Sequence, residues 1–247
     1  MSFSIKLGNF LFKNAYGLYK PMYVAFKNRQ DKFEIEILKK YLKPNDIVLD
    51  IGANIGFYTR ILSEIVGPKG KIHCFEPDKI NFEKLKDFCA DLNNVILNHK
   101  AVGPKTETLK IYTSKTLNVD HRTYKPDDYD QEIEIEAVSV DEYLNAENKI
   151  DFIKMDIQGF EMSAIKGLEK TLDANPGVKL ISELWPYGLK KAGASAIEYF
   201  NFLSAKDFKC YLIENNSLEA LSLDKIKQMM DLSEEHYFNI FASRSQI

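Results

Sequence analysis

A short buried strand that runs into a glycine turn and then a helix constrains this chain more than any other feature. Ile47, Val48 and Leu49 form an apolar, partly β-branched run of the kind buried on both faces of a parallel sheet. Asp50 follows at once, then Gly52 and Gly56 within Asp50-Ile51-Gly52-Ala53-Asn54-Ile55-Gly56, and then Phe57, Ile61, Leu62 and Ile65 at helical spacing. Strand, glycine turn and helix make the entry unit of a doubly wound α/β sheet, and such sheets bind ligands beyond the carboxyl ends of their strands. Gly52 supplies a positive φ or a close backbone approach, and Gly56 is expected to let the helix pack near the strand.

The turn also speaks to the ligand. A dinucleotide-binding turn places a glycine at its middle position, where a pyrophosphate approaches. Here that position is Asn54, and Asp50 stands two residues ahead of the first glycine. A carboxylate there suits a ligand carrying an ammonium group better than one carrying phosphates. The next strand, Lys71 to Phe75, ends in Glu76, twenty residues after Gly56. An acid so placed accepts hydrogen bonds from both hydroxyls of a ribose. An amino acid joined to a nucleoside satisfies both acids, and S-adenosylmethionine is a ligand of that composition.

A chain of 247 residues with 45% hydrophobic residues can bury a full α/β core. Its net charge of −3 gives no general attraction to a nucleic acid backbone. Cys74, Cys89 and Cys210 are odd in number, far apart and set in apolar runs, so they read as reduced core residues of a cytoplasmic protein. The first thirty residues are rich in aromatics (Phe10, Phe12, Tyr16, Tyr19, Tyr23, Phe26), with Lys13, Lys20 and Pro21 interrupting them. That pattern excludes a transmembrane span there and predicts one or two amphipathic helices before Pro44. They are read as a cap packed on the domain or on a dimer partner, or as a helix on a membrane surface. Asp31 is the expected N-cap of a helix over Phe33 to Leu42.

Farther along, strands and helices alternate. A helix is expected over Asn81 to Leu92 and a third strand over Val95 to Leu97. The style changes between Pro104 and Val140: Leu109 to Tyr112 and Glu132 to Val138 read as an antiparallel hairpin at the sheet edge or above the site, the second strand with strict alternation. The wound pattern resumes with Ile150 to Met155, ending in Asp156, then a helix over Glu161 to Leu172. A strand over Val178 to Ser182 ends in Glu183, followed by a helix over Ala194 to Ala205 and a strand over Phe208 to Ile213. A helix over Leu223 to Met230 and a last strand over Tyr237 to Ala242 close the chain. The expected layout is a helical cap over residues 1–43 and a single α/β domain over 44–247, with the hairpin inserted at about 104–140. The sheet is expected to have seven strands, mostly parallel, with an antiparallel C-terminal strand.

With these segments the chain resembles the FkbM family of S-adenosylmethionine-dependent methyltransferases, of the class I, Rossmann-like fold. The resemblance rests on Asp50 to Gly56 with Phe75-Glu76-Pro77-Asp78, on Asp120-His121-Arg122-Thr123-Tyr124, and on Ile153-Lys154-Met155-Asp156-Ile157-Gln158-Gly159-Phe160-Glu161. Asn98 to Val102 matches the exit of the family's third strand. Where the family commonly has glycine before the Asp-His-Arg triplet, this chain has Val119. The resemblance implies methyl transfer, often to a hydroxyl of a sugar, glycan or small natural product. It also implies a cofactor-binding set of Asp50, Gly52, Asn54, Gly56, Phe57, Tyr58, Thr59, Glu76, Pro77, Ala101 and Asp156.

A sulfonium is a strong electrophile, so alignment dominates the chemistry and a base assists. Asp156 at a strand end and His121 on a polar loop are the candidate bases, with Arg122 as an anchor for a carboxylate or phosphate on the acceptor or as a brace of its loop through an acid such as Asp120. Plain alternatives are an N-cap for Asp156, a solvated loop histidine for His121, and a helix-dipole role for Glu161. Asp156 and Glu183 end neighbouring strands and are candidates to share Mg2+. Trp185 and Tyr187 beyond them suit either a sugar face or packing. Two other functions fit parts of the pattern. Glu76 alone would allow a nicotinamide-dependent oxidoreductase, and the fold alone a non-catalytic binding module. Nucleic acid is not an expected partner, because the charge is wrong and the turn after Asp156 lacks the paired prolines of enzymes that methylate base amino groups.

Overall fold

The computed structural model describes residues 3–113, 129–144, 149–233 and 236–247. Three helices open the chain: α1 (Phe3–Asn14), α2 (Tyr16–Gln30) and α3 (Lys32–Tyr41). The wound unit follows as β1 (Ile47–Ile51), α4 (Phe57–Val66), β2 (Lys71–Phe75), α5 (Lys79–Phe88) and β3 (Val95–Asn98). The inserted part holds β4 (Ala101–Val102), β5 (Glu107–Tyr112), β6 (Glu132–Val138) and the single turn α6 (Val140–Tyr143). Then come β7 (Phe152–Met155), α7 (Glu161–Lys166), α8 (Glu169–Ala174), β8 (Lys179–Leu184), α9 (Pro186–Lys191) and α10 (Ala196–Ala205). The chain ends with β9 (Lys209–Glu214), β10 (Ser217–Ala220), α11 (Leu223–Met230) and β11 (Phe238–Ser243).

The main sheet has the order β10-β9-β11-β8-β7-β1-β2-β3. β1 pairs in parallel with β2 and β7, which puts the ends of those three strands side by side. β11 is antiparallel to both β8 and β9, as the sequence led one to expect for the last strand. Eight strands replace the expected seven. The extra one, β10, returns from β9 through Asn215-Asn216, both with positive φ (52° and 55°), the conformation of a tight two-residue hairpin turn. Asparagine tolerates that region, so this pair was the sequence signal for the eighth strand.

The pleat divides the core. Leu49, Ile51, Phe75, Ile153 and Met155 face one layer of helices, while Val48, Ile72, Cys74 and Phe152 face the other. Truncating one of these Leu, Ile, Met or Phe side chains to alanine typically costs about 2–5 kcal/mol. Ile37, Leu38 and Leu42 join the second layer, so α3 shares the core of the sheet.

Several expectations are corrected. Three helices precede Pro44, not one or two. Asp31 does not cap α3 with its side chain; its Oδ2 accepts from the Tyr58 hydroxyl at 2.8 Å and pairs with Lys27. The helix after β2 starts at Lys79, because Asp78 caps it by accepting from the Asn81 N–H at 2.8 Å. The helix expected over Glu161 to Leu172 breaks at Gly167, whose carbonyl accepts from the Asp141 N–H (2.9 Å) and the Ser139 hydroxyl (3.0 Å). β5 and β6 do pair antiparallel, as expected, but of the two places expected for the hairpin the edge of the main sheet is excluded. They form a separate sheet of order β4-β6-β5, with Ile111, Ile135 and Ala137 on its buried face and Glu132, Glu134 and Glu136 outward.

Candidate active site

A cavity of about 830 Å³ lies beyond the carboxyl ends of β1, β2, β7 and β8. Its wall is completed by Tyr23, Lys27 and Gln30 of α2, Glu34 of α3, and Ala101, Val102 and Ile111 of the small sheet. The glycine turn is bound to β2: the Gly52 and Ala53 N–H groups both donate to the Phe75 carbonyl, at 2.9 and 3.0 Å. Gly52 is at φ +85°, and a Cβ there would lie 2.0 Å from the Asp156 carbonyl oxygen, so only glycine lets this turn close against the turn after β7. Gly56 works differently from expectation: a Cβ on it would strike Leu85 of α5 at 2.8 Å, so it admits a neighbouring helix and not the strand.

Glu76 ties the site together. Its Oε2 accepts from the Asn54 N–H and its Oε1 from the Asp78 N–H, both at 2.9 Å. Burial pushes its carboxyl up to about 8, against the pull of those two donors. Each carboxylate oxygen has a second lone pair, so hydrogen-bonding capacity remains for a ligand. Asn54 sits at φ +52°, and its buried Oδ1 has no partner among the described residues. Asp50, buried on β1, accepts from the Thr59 hydroxyl at 2.5 Å. Burial raises it to about 6, while the Thr59 hydroxyl and Lys154 hold it down.

The other half of the cavity centres on Lys154. Only 2% exposed, it lies 3.7 Å from both Glu34 Oε1 and Asp156 Oδ2, and 4.5 Å from the Tyr58 ring centroid. Burial alone would lower its pKa, but the carboxylates around it, Glu34 first and then Asp156, Asp50 and Glu183, raise it above the ordinary lysine value. Glu34 is 4% exposed; burial raises its pKa and Lys154 opposes that. Its Oε2 accepts from the Asn239 amide at 2.8 Å. The turn after β7 is shaped by Glu161, fully buried, whose Oε1 accepts from the N–H groups of Ile157 (3.0 Å) and Gly159 (3.2 Å). Glu161 therefore holds a turn, beyond any helix-dipole effect. Asp156 is not an N-cap, since α7 begins after Phe160.

Asp50, Gly52, Asn54, Phe57, Tyr58, Glu76, Pro77, Ala101, Asp156 and Glu183 all line the cavity. Gly56 and Thr59 stand behind its wall, packed on α5 and on Asp50. His121 and Arg122 lie outside the described residues. Asp156 and Glu183 do approach one another, but what they share is the Gln158 amide, which donates to both at 3.2 and 3.4 Å. Among the described residues no group of three or more His, Cys, Asp or Glu could hold a metal ion, and the Gln158 amide takes the bridging place between these two carboxylates. The magnesium expectation is therefore not kept. Trp185 is buried in the cavity wall and tilts against Tyr187, with ring centroids 5.8 Å apart. Glu34 and the α2 residues had no sequence signal as site residues, because only the fold brings the N-terminal helices over the strand ends. Lys154 was visible within the motif, but its burial was not.

A sheet of this order, with a cavity at the ends of its parallel strands, has the class I, Rossmann-like architecture of S-adenosylmethionine-dependent methyltransferases. The chain belongs to the FkbM methyltransferase family: residues 50–210 match the Methyltransferase FkbM domain. Among solved structures it is similar to a candidate rRNA methylase from Clostridium thermocellum, at 12% identity over 85% of this chain and 92% of that one, with a TM-score of 0.53. It is also similar to an rRNA methylase from Streptococcus thermophilus (15% identity, 86% and 95% covered, TM-score 0.50). A third is methyltransferase FkbM from Methylobacillus flagellatus KT (17% identity, 81% and 44% covered, TM-score 0.50). At these identities the likeness establishes the fold. No curated protein matches the chain in sequence. Neither a nicotinamide-dependent oxidoreductase nor a non-catalytic module is favoured by these matches.

Proposed function

We propose that the protein transfers the methyl group of S-adenosylmethionine to a hydroxyl on a sugar, a glycan or a small natural product. The observation that carries this reading is the grouping of Asp50, Glu76 and Asp156 around one cavity of about 830 Å³, a volume typical of small-ligand sites. The residues present fit the cofactor. Asp50 with the Gly52 turn suits its amino-acid end, Glu76 suits the ribose hydroxyls, and the unpartnered Asn54 Oδ1 offers a further acceptor. Phe57, Tyr58, Pro77 and Ala101 supply the walls around it.

When bound, S-adenosylmethionine supplies an electrophilic methyl group on a sulfonium. The work left to the chain is to align the acceptor, keep water out and remove a proton; alignment alone contributes about 7–11 kcal/mol. Asp156, half-buried in the cavity and held by Gln158, is the leading base for the acceptor hydroxyl. Lys154, 3.7 Å from that carboxylate, sets a buried ammonium beside it. His121 and Arg122 complete the proposed set, as a second candidate base and an anchor for the acceptor. The test is calorimetry with S-adenosylmethionine and NAD, followed by labelled methyl transfer to a panel of glycans and hydroxylated small molecules. Tight binding of NAD with none of S-adenosylmethionine refutes the cofactor; transfer only to nitrogen or carbon acceptors refutes the hydroxyl.

A further inference from the structure

Helix α2 is amphipathic in the opposite sense to a helix that only covers a core. At 3.6 residues per turn, Tyr16, Tyr19, Lys20, Tyr23 and Lys27 share one face. That face packs inward. Tyr23 meets Phe57 with ring centroids 6.2 Å apart, Lys20 lies 4.6 Å from the Phe88 ring centroid, and Lys27 lies 5.7 Å from that of Tyr58. The opposite face carries Leu18, Met22 and Phe26, which are 64%, 58% and 62% exposed, and Arg29 falls in line with them. Phe10 of α1 adds another ring at 59%. An ordinary surface helix turns its apolar stripe to the core. Here the large apolar side chains stand in water, and a contiguous exposed apolar face marks an interaction surface.

The charge of the same segment says what that surface fits. Residues 1–43 contain nine Lys or Arg against three Asp or Glu, whereas residues 44–247 contain 24 against 33. A chain of net charge −3 thus gathers an excess of six positive charges on the segment that bears the exposed stripe. Arg29 lies in line with it, and Lys13 and Lys32, on the two helices that flank α2 in sequence, are exposed as well. A second copy of this face would bring two basic surfaces together, which opposes self-association. A layer of anionic headgroups over an acyl boundary matches the bases and the apolar side chains at once.

We propose that the outer face of α1 and α2 docks on an anionic lipid surface, with Leu18, Met22 and Phe26 entering the headgroup boundary and Arg29 and Lys13 meeting the lipid charge. Tyr23, Lys27 and Gln30, on the other side of α2, line the cavity. Docking therefore sets the cavity wall about one helix diameter, ~10 Å, from the headgroups. The inference does not depend on which acceptor is methylated.

The experiment is co-sedimentation of the full chain with vesicles of phosphatidylcholine alone or with roughly a third phosphatidylglycerol, at low and high salt. The expected result is binding to the anionic vesicles only, weakened by salt. Leu18→Ser/Met22→Ser/Phe26→Ser should lower the bound fraction at least about tenfold, with melting temperature and S-adenosylmethionine affinity unchanged. Phe26→Glu alone gives the same reading with one exposed substitution, should the triple variant fold poorly. Equal sedimentation with both vesicle types overturns the proposal. So does the absence of lipid binding together with a dimer, seen by light scattering, that the triple variant loses, since the face would then serve a second copy.

Discussion

Raising the pH should tighten the hold of this protein on the nucleoside part of its cofactor, through Glu76, the residue proposed to meet the ribose. Burial brings the carboxyl of Glu76 up to about 8 in the ligand-free protein. Only the ionised form accepts hydrogen bonds from both ribose hydroxyls while keeping the N–H groups of Asn54 and Asp78 satisfied. At about pH 7 roughly a tenth of the molecules are ionised there, and at about pH 6 roughly a hundredth, so the apparent Kd should weaken by about 10-fold and 100-fold from its plateau. The amino group of S-adenosylmethionine titrates in the same range. The clean probe is therefore 5′-methylthioadenosine, which keeps the ribose and lacks the amino acid, measured by calorimetry between about pH 6 and 9.

The same proton acts on stability with the opposite sign. The folded pKa lies above the reference value of 4.5, so the stabilising contribution of Glu76 is full below about 4.5 and is lost as pH rises through about 8. The melting temperature of the empty protein should fall across that window while the protection conferred by the nucleoside grows. Glu76→Gln should flatten both curves and weaken binding at high pH by about 1.5–3 kcal/mol, because the charged acceptor is gone. A wild-type affinity that stays flat with pH, or a slope that survives in Glu76→Gln, refutes the reasoning.

Lys154→Met should cost about 3–5 kcal/mol in chemical denaturation by leaving Glu34 buried without its cation, and adding Glu34→Gln should recover most of the loss; a cost under about 1 kcal/mol would show that the pair is not coupled. Gly52→Ala should destabilise the fold by at least about 1–3 kcal/mol and abolish S-adenosylmethionine binding, because the new Cβ meets the Asp156 carbonyl at a backbone angle alanine resists. Unchanged binding in that variant would mean the turn relaxes freely. Asp156→Asn should lower turnover by about 10²–10⁴-fold, and a wild-type rate would move the role of base to His121. His121→Ala, assayed beside it, should lower turnover about a hundredfold and remove dependence on a group titrating near neutrality; no change would make His121 a bystander.

The sequence by itself carried the fold class, because period and punctuation are local properties. Ile47 to Leu49, the two glycines and the helical spacing from Phe57 specify one strand–turn–helix unit, and its repetition specifies the wound sheet. It also carried Asp50, Glu76 and Asp156, since residues at the carboxyl ends of parallel strands converge in any sheet of this kind. It even held the eighth strand, in the Asn215-Asn216 turn, since asparagine tolerates the positive φ of a two-residue hairpin. Only the tertiary structure decided what surrounds those acids. Glu34 and Lys154 are 120 positions apart, and nothing in the pattern near either one foretells that α3 would bring them within 3.7 Å. The break at Gly167, the true partner of Asp31 and the brace made by Glu161 are likewise set by groups distant in sequence or by burial. Hydrogen bonds and charge pairs of that sort are short-ranged in space and blind to order along the chain, so they become legible only once the backbone has been folded.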